Sequence, residues 1–237
     1  MVRRWCLALA ALAAWLAAGS GALARSVDLA LVLAVDVSGS VSGERFELQR
    51  RGYAKAFSSP EVLDAIAAGQ NHAILVTLVE WSGADHQQQT VGWTLIDGPE
   101  TAAAFGSAVA EAPRAFADWT SISGAIDYAA ALFAKIDVEA ARKIIDVSGD
   151  GINNSGRELA AARADALRAG LTINGLAILW DYPTLDVYYR NNVIGGPGAF
   201  AVVAHDFSDF GAALLSKLVR EIAGAKRPAG AKGYAGR

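Results

Sequence analysis

The stretch Asp28-Leu-Ala-Leu-Val-Leu-Ala-Val-Asp36-Val-Ser38-Gly-Ser40 runs from unbroken apolar residues into one carboxylate and two hydroxyls at alternate positions. A strand with one wet face alternates polar and apolar residues, so a continuous run reads as a parallel strand buried on both faces. In open α/β sheets, ligands bind just outside the carboxyl ends of such strands. Asp36, Ser38 and Ser40 arrive at that end, and Gly39 allows a tight turn between them. Three oxygen donors of this kind suit a hard cation. Taken alone, the triplet fits a polar turn with a helix N-cap at Ser42 or Ser40 as well as it fits a ligand set.

Outward from this strand, helix and strand signals alternate to about Ala223. Phe46, Gln49, Tyr53 and Phe57 fall at helical spacing, and Ser59-Pro60 opens a short second helix that Gly69 stops. His72 to Trp81 reads as a strand, with Thr90 to Ile96 as its antiparallel neighbour. Gly98-Pro99-Glu100 starts a helix that ends at Pro113, and Ile122, Ile126, Ala130 and Phe133 mark the buried stripe of the next. Lys143 to Ser148 is a second buried strand, followed by Gly149-Asp150-Gly151. Ser155-Gly-Arg-Glu158 has the form of a capping box opening a helix that stops at Gly170. Thr172 to Leu179 and Phe200 to Ala204 are strands, and Ser208 to Ala223 closes the chain with an amphipathic helix. The alternation predicts an α/β fold: a mainly parallel central sheet with one antiparallel edge strand and helices on both faces. One domain over residues 26–224 accounts for it.

The two ends read differently. Arg3 and Arg4, the apolar run Leu7 to Ala18 and the Ala22-Leu23-Ala24 signal form a secretory signal peptide over residues 1–24. The protein is therefore expected to be exported, to the periplasm or outside the cell. The run is short for a span, and no later segment approaches the roughly 20 apolar residues a bilayer requires. Cleavage removes the single cysteine, which excludes disulfides, thiolate metal sites and a cysteine nucleophile. It also leaves 19 basic against 24 acidic residues, a balance that argues against nucleic acid as a partner. Residues 225–237, with Lys226, Arg227, Lys232 and Arg237, read as a flexible basic tail.

Two further segments bring hard oxygen donors to ends of elements: Asp118-Trp119-Thr120-Ser121 and Ser148-Gly149-Asp150-Gly151. With Asp36-x-Ser38-x-Ser40 in front, the arrangement resembles the von Willebrand factor type A (VWA) family and its metal-ion-dependent adhesion site. The family's second-loop Thr and its Ala five residues on fall on Thr120 and Ala125, and its Asp-Gly falls on Asp150-Gly151. The segment DVSGDGINNSG is similar to a bacterial secreted subfamily of unassigned function. The resemblance implies a Rossmann-like VWA domain binding a divalent cation, with Mg²⁺ the expected ion and Mn²⁺ or Ca²⁺ as alternates. Ser38, Ser40 and Thr120 would then coordinate it, and Asp36 and Asp150 would hold bound waters. An Asp or Glu carboxylate of a protein partner would complete the shell. Movement of the closing helix, Phe207 to Ile222, on filling the site is also implied, beside the alternative of a static core helix.

Asp118, Asn153, Asn154 and Trp180 are candidates for supporting or contact roles. Asp118 suits a place facing solvent, and asparagines after a turn more often satisfy turn backbone than ligate an ion. Trp180-Asp181-Tyr182 and Trp81-Ser82-Gly83 follow strands and suit either contact anchors or aromatics that cap the core. The catalytic alternatives are thinner. No serine has nucleophile-elbow flanks, and neither a Walker A loop nor a Gly-x-Gly-x-x-Gly follows the first strand. His72, His86 and His205 lack paired zinc spacing. A Mg²⁺-dependent hydrolase with Asp36 as nucleophile, and a scaffold with a vestigial site, remain the competing classes.

Overall fold

A computed structural model describes residues 25–224; the signal-peptide and basic-tail readings concern segments outside them. Six strands form the main sheet in the order β4-β3-β2-β6-β7-β8. These are β2 (Leu29–Asp36), β3 (Ile74–Trp81), β4 (Gln87–Ile96), β6 (Lys143–Gly149), β7 (Thr172–Ile178) and β8 (Ala201–Ala204). All neighbours are parallel except β3 with β4, as the sequence predicts. Two short strands, β1 (Ser26–Val27) and β5 (Glu139–Ala140), pair separately.

The apolar run of β2 has the predicted cause. Leu29, Leu31, Leu33 and Val35 enter one core, while Ala30, Val32 and Ala34 enter the other. The first core is closed by α1 (Gly43–Phe57), α2 (Pro60–Ala67), α3 (Pro99–Glu111) and the last helix, α7 (Phe210–Ala223). The second is closed by α4 (Ile122–Leu132), α5 (Leu159–Arg168) and the short α6 (Leu185–Tyr188), which continues into a wide turn over Tyr189–Val193. No helix among the described residues is long and apolar enough to cross a membrane.

Several local expectations shift. On α4 the buried stripe is Ile122, Ala125, Ile126, Ala129 and Leu132, with Ala130 only half-buried, because the helical period returns to the core at Ala129. The Ser155–Glu158 capping box does not form. Ser155 Oγ instead accepts a hydrogen bond from Ala84 N at 3.1 Å, and α5 starts after Glu158 with no side-chain cap. Gly156 takes a left-handed φ of 83°, and a Cβ there would lie 2.5 Å from Ser121 Oγ, so this loop is pressed onto the start of α4.

The last helix carries an unusual buried group. Lys217 is fully buried and its Nζ lies 2.5 Å from both Asp146 Oδ1 on β6 and Glu221 Oε1 one turn further along. Asn174 Nδ2 donates to the same Glu221 oxygen at 2.8 Å. Burial raises the pKa of Asp146, and burial with the neighbouring Asp146 charge pushes that of Glu221 up to about 7. One ammonium thus holds two carboxylates and pins α7 to the centre of the sheet.

Candidate metal centre

The site stands at the carboxyl ends of β2 and β6, where the two parallel strands leave the sheet side by side. Asp36 is the last residue of β2, and its Oδ1 accepts from Ser38 N at 2.7 Å, which folds the chain back over the strand end. The N-cap alternative is settled locally: Ser42 caps α1 by accepting from Arg45 N at 3.3 Å. Ser40 is thereby left to the site, where its Oγ donates to Asp150 Oδ1 at 2.6 Å and lies 3.3 Å from Ser38 Oγ.

Thr120 comes from the loop before α4, which is tied to the first loop by Gly39 N donating to Asp118 O at 2.8 Å. The same loop is tied to the third. Asn154 N donates to Thr120 O, and Thr120 N donates to Asn154 Oδ1, both at 2.9 Å. Asn153 Oδ1 accepts from Ser123 N at 2.9 Å. Asn153 and Asn154 therefore act as latches between loops, which is the role turn asparagines usually take.

The remaining candidates separate. Asp118 lines the cleft, but its Oδ2 lies 3.0 Å from His86 Nδ1 and its Oδ1 accepts from Trp119 N at 2.8 Å. Trp81 is fully buried and belongs to the core, whereas Trp180 is half exposed with the Arg45 guanidinium 4.4 Å above its ring. The open cleft has a volume of about 660 Å³, with Ser40, Thr120 and Asp150 in its wall.

Three supporting side chains escape sequence reasoning because they lie far along the chain or inside helices. Arg114 Nη2 donates to Val37 O at 2.7 Å and Ser38 O at 3.0 Å. Arg45 Nη1 donates to Ser40 O at 2.5 Å, and Gln49 Nε2 to Asp36 O at 3.2 Å. These donors satisfy the carbonyls of the first loop and hold its backbone in place. Tyr189, buried in the second core, brings a hydroxyl beside Asp36. Only the tertiary fold places it there, since nothing in the local sequence marks it.

Electrostatics favour a cation. Asp36, Ser38, Thr120 and Asp150 are all buried, and Asp36 Oδ2 and Asp150 Oδ2 have no hydrogen-bond partner among the described residues. Burial, and then the nearby Asp150 charge, pushes the Asp36 pKa up to about 7. Asp150 is also raised, first by burial and further by Asp181, against the lowering effect of the Ser40 hydrogen bond. Asp150, Ser40 and Thr120 in the cleft wall, with Asp36 and Ser38 buried next to them, form a donor set that fits a hard divalent cation, whose charge would answer both carboxylates. No group of three or more His, Cys, Asp or Glu residues able to share an ion occurs among the described residues. Any ion held here would therefore rest on hydroxyls as much as on carboxylates.

Gly149 is needed for this geometry. A Cβ there would lie 2.8 Å from Asp36 Oδ2 and 2.9 Å from the Tyr189 hydroxyl. Gly149→Ala is expected to cost about 1–3 kcal/mol of stability through overpacking. Were Asp36 to hold a divalent cation, the same clash would lower the ion's affinity by at least about tenfold, because each 1.4 kcal/mol of displaced carboxylate interaction is a factor of ten. Calorimetric titration beside a thermal melt checks both.

The sheet order and the helices on its two faces are those of the VWA fold, which solved structures share. Proximal thread matrix protein 1 (PTMP1) from the mussel byssus superposes with a TM-score of 0.63 at 13% identity, over 84% of this chain and 49% of that one. A further PTMP1 structure, described as having a zinc-occupied MIDAS motif, gives 0.60 at 13% identity over 84% and 49%. The vWF domain of the type V pili tip protein Mfa5 from Porphyromonas gingivalis gives 0.59 at 12% identity, over 83% of this chain and 95% of that one. The chain thus spans about half the length of PTMP1 and nearly all of the Mfa5 domain. No curated protein matches the sequence. The chain belongs to the family described as "Protein of unknown function (DUF1194)", whose model matches residues 26–226.

Proposed function

We propose that this protein is an exported binding module that holds a divalent cation, Mg²⁺ foremost, at the end of β2 and binds a partner protein through it. Ser38, Ser40 and Thr120 would hold the ion, with Asp36 and Asp150 anchoring its water ligands. When bound, the ion supplies an electrophilic position able to accept a carboxylate oxygen of an Asp or Glu on the partner. The observation that carries the reading is the pair of buried carboxylates, Asp36 and Asp150, each with an oxygen lacking a partner among the described residues, where Asp150, Ser40 and Thr120 line an open cleft.

Supporting contacts hold the loops in place. Arg114 and Arg45 fix the first loop through its carbonyls, and Asn154 fixes the second to the third. The zinc of the PTMP1 structure supports a cation in this class of fold. Export rests on the signal-peptide pattern of residues 1–24.

The test is calorimetric titration of Mg²⁺ and Mn²⁺ into the protein and into Asp36→Ala. Saturable binding to the first and at least about tenfold weaker binding to the second is the expected result. Equal binding to both would overturn the reading. Turnover of a phosphate ester that disappears in Asp36→Asn would favour the hydrolase instead.

A further inference from the structure

We propose that the segment captured at the cleft is a protein segment whose metal-binding carboxylate is accompanied by a basic residue and an apolar one. This rests on the cation-dependent binding proposed above and specifies the partner. Two independent observations carry it: where the exposed apolar side chains lie, and what charge remains around the ion.

The exposed large hydrophobic residues of the described chain are Trp119, Ile152, Trp180, Tyr182 and Val187. Ile152 follows β6, Trp180, Tyr182 and Val187 follow β7, Trp119 lies in the loop between α3 and α4, and Trp119, Ile152 and Tyr182 line the cleft itself. Trp119, at 67% exposed, stands immediately before Thr120. Single exposed apolar residues are ordinary, but such a gathering around one polar cleft is the anatomy of a protein-binding surface. Trp and Tyr are also the side chains that most often dominate interface energy.

The charge balance is specific. A divalent cation would answer Asp36 and Asp150. The cleft wall also carries Asp118 and Asp181, and Asp181 forms no ion pair among the described residues. Arg45, which reaches Ser40 O, acts on Asp150, and Asp118 has His86 beside it, so among the described residues Asp181 is left without a cationic neighbour in an ion pair. An incoming carboxylate therefore meets residual negative charge. A Lys or Arg near that carboxylate, placed against Asp181, removes the repulsion and adds a charged contact at the rim. A purely acidic ligand, such as a polyuronate, gains the metal contact but keeps the repulsion.

The probe is a displayed peptide library, nine residues long with a fixed central Asp, selected on Mg²⁺-loaded protein and eluted with EDTA. Enrichment of Lys or Arg within three positions of the Asp, together with an aromatic or aliphatic residue, is expected. Trp119→Ala should weaken a selected peptide by at least about tenfold while its Mg²⁺ titration matches wild type. Asp181→Arg should reverse the preference in a repeat selection, from basic to acidic flanks. Enrichment without basic residues, or an unchanged preference in Asp181→Arg, overturns the proposal. So does chelator-sensitive binding of oligogalacturonate with no peptide enriched. Failure of Mg²⁺ to bind in calorimetry removes the underlying reading too, whereas Mg²⁺ binding with no enrichment removes only the partner assignment.

Discussion

Replacing Lys217 by methionine is expected to lower the unfolding free energy by about 3–5 kcal/mol, a range typical for breaking a buried ion pair from one side. The ammonium is fully buried between Asp146 and Glu221, so its removal leaves two carboxylates in the core with Asn174 as their remaining neighbouring donor. Denaturant melts of wild type and Lys217→Met check the value. The triple variant Lys217→Met, Asp146→Leu, Glu221→Met should regain most of the loss, because an apolar set of similar volume has no charge to desolvate. A triple variant as unstable as the single one would show that packing, not charge, is what Lys217 supplies. The same cluster bears on the last helix: sliding α7 along the sheet would draw Lys217 away from Asp146 on β6. A large displacement of α7 on ion binding is therefore costly in this chain.

Melting temperature without added cation is expected to fall as pH rises from about 4 to about 7, and Mg²⁺ should restore part of the loss only at the upper end. Asp36 has its pKa raised from the ordinary 3.8 to about 7 in the folded state. Between those values the folded protein binds more protons than the unfolded chain, so its stability declines with rising pH. Below the unfolded value the contribution of the neutral carboxyl is fully present, and it is lost as pH passes through about 7. The span corresponds to a loss on the order of 4 kcal/mol at most. Glu221, pushed up to about 7, contributes in the same direction, as do Asp146, Asp150 and Glu80, whose carboxyls burial also raises, so the full curve belongs to all of them. The cation proposed for this site would compete with the proton at Asp36 and not at Glu221. Saturating Mg²⁺ should therefore raise the melting temperature at pH 7.5 and have little effect at pH 5. Asp36→Asn should flatten its share of the slope and abolish the Mg²⁺ response. An equal Mg²⁺ effect at both pH values would contradict the linkage.

How much of this was legible in the sequence varies from residue to residue. Ser59 and Pro60 announced a helix start correctly because capping and proline at the first turn are local effects. Ser155 looked like the same signal and was not, because Ala84, 71 residues away, takes its hydroxyl. The α7 stripe shows the same contrast. The sequence marks an amphipathic closing helix, and Phe210, Leu214, Leu218 and Ile222 form its buried face, yet Lys217 and Glu221 share that face at the same helical period. Their burial depends on Asp146 standing opposite, which no reading of the helix alone reveals.

The sequence by itself determined the architecture and the donors. An unbroken apolar run demands two covered faces, so β2 had to lie inside a parallel sheet with helices on both sides. Its end had to deliver Asp36, Ser38 and Ser40 to an edge where ligands bind. Tertiary structure decided which of those donors meet. Ser40 reaches Asp150 because β2 and β6 are neighbours and Ser42 takes the cap. Arg114, Arg45 and Tyr189 are set around them by contacts that span the chain. The physical reason is range. Burial patterns and caps act over a few residues and are written locally, whereas the charge left on a buried carboxylate depends on every group the fold brings within a few ångströms.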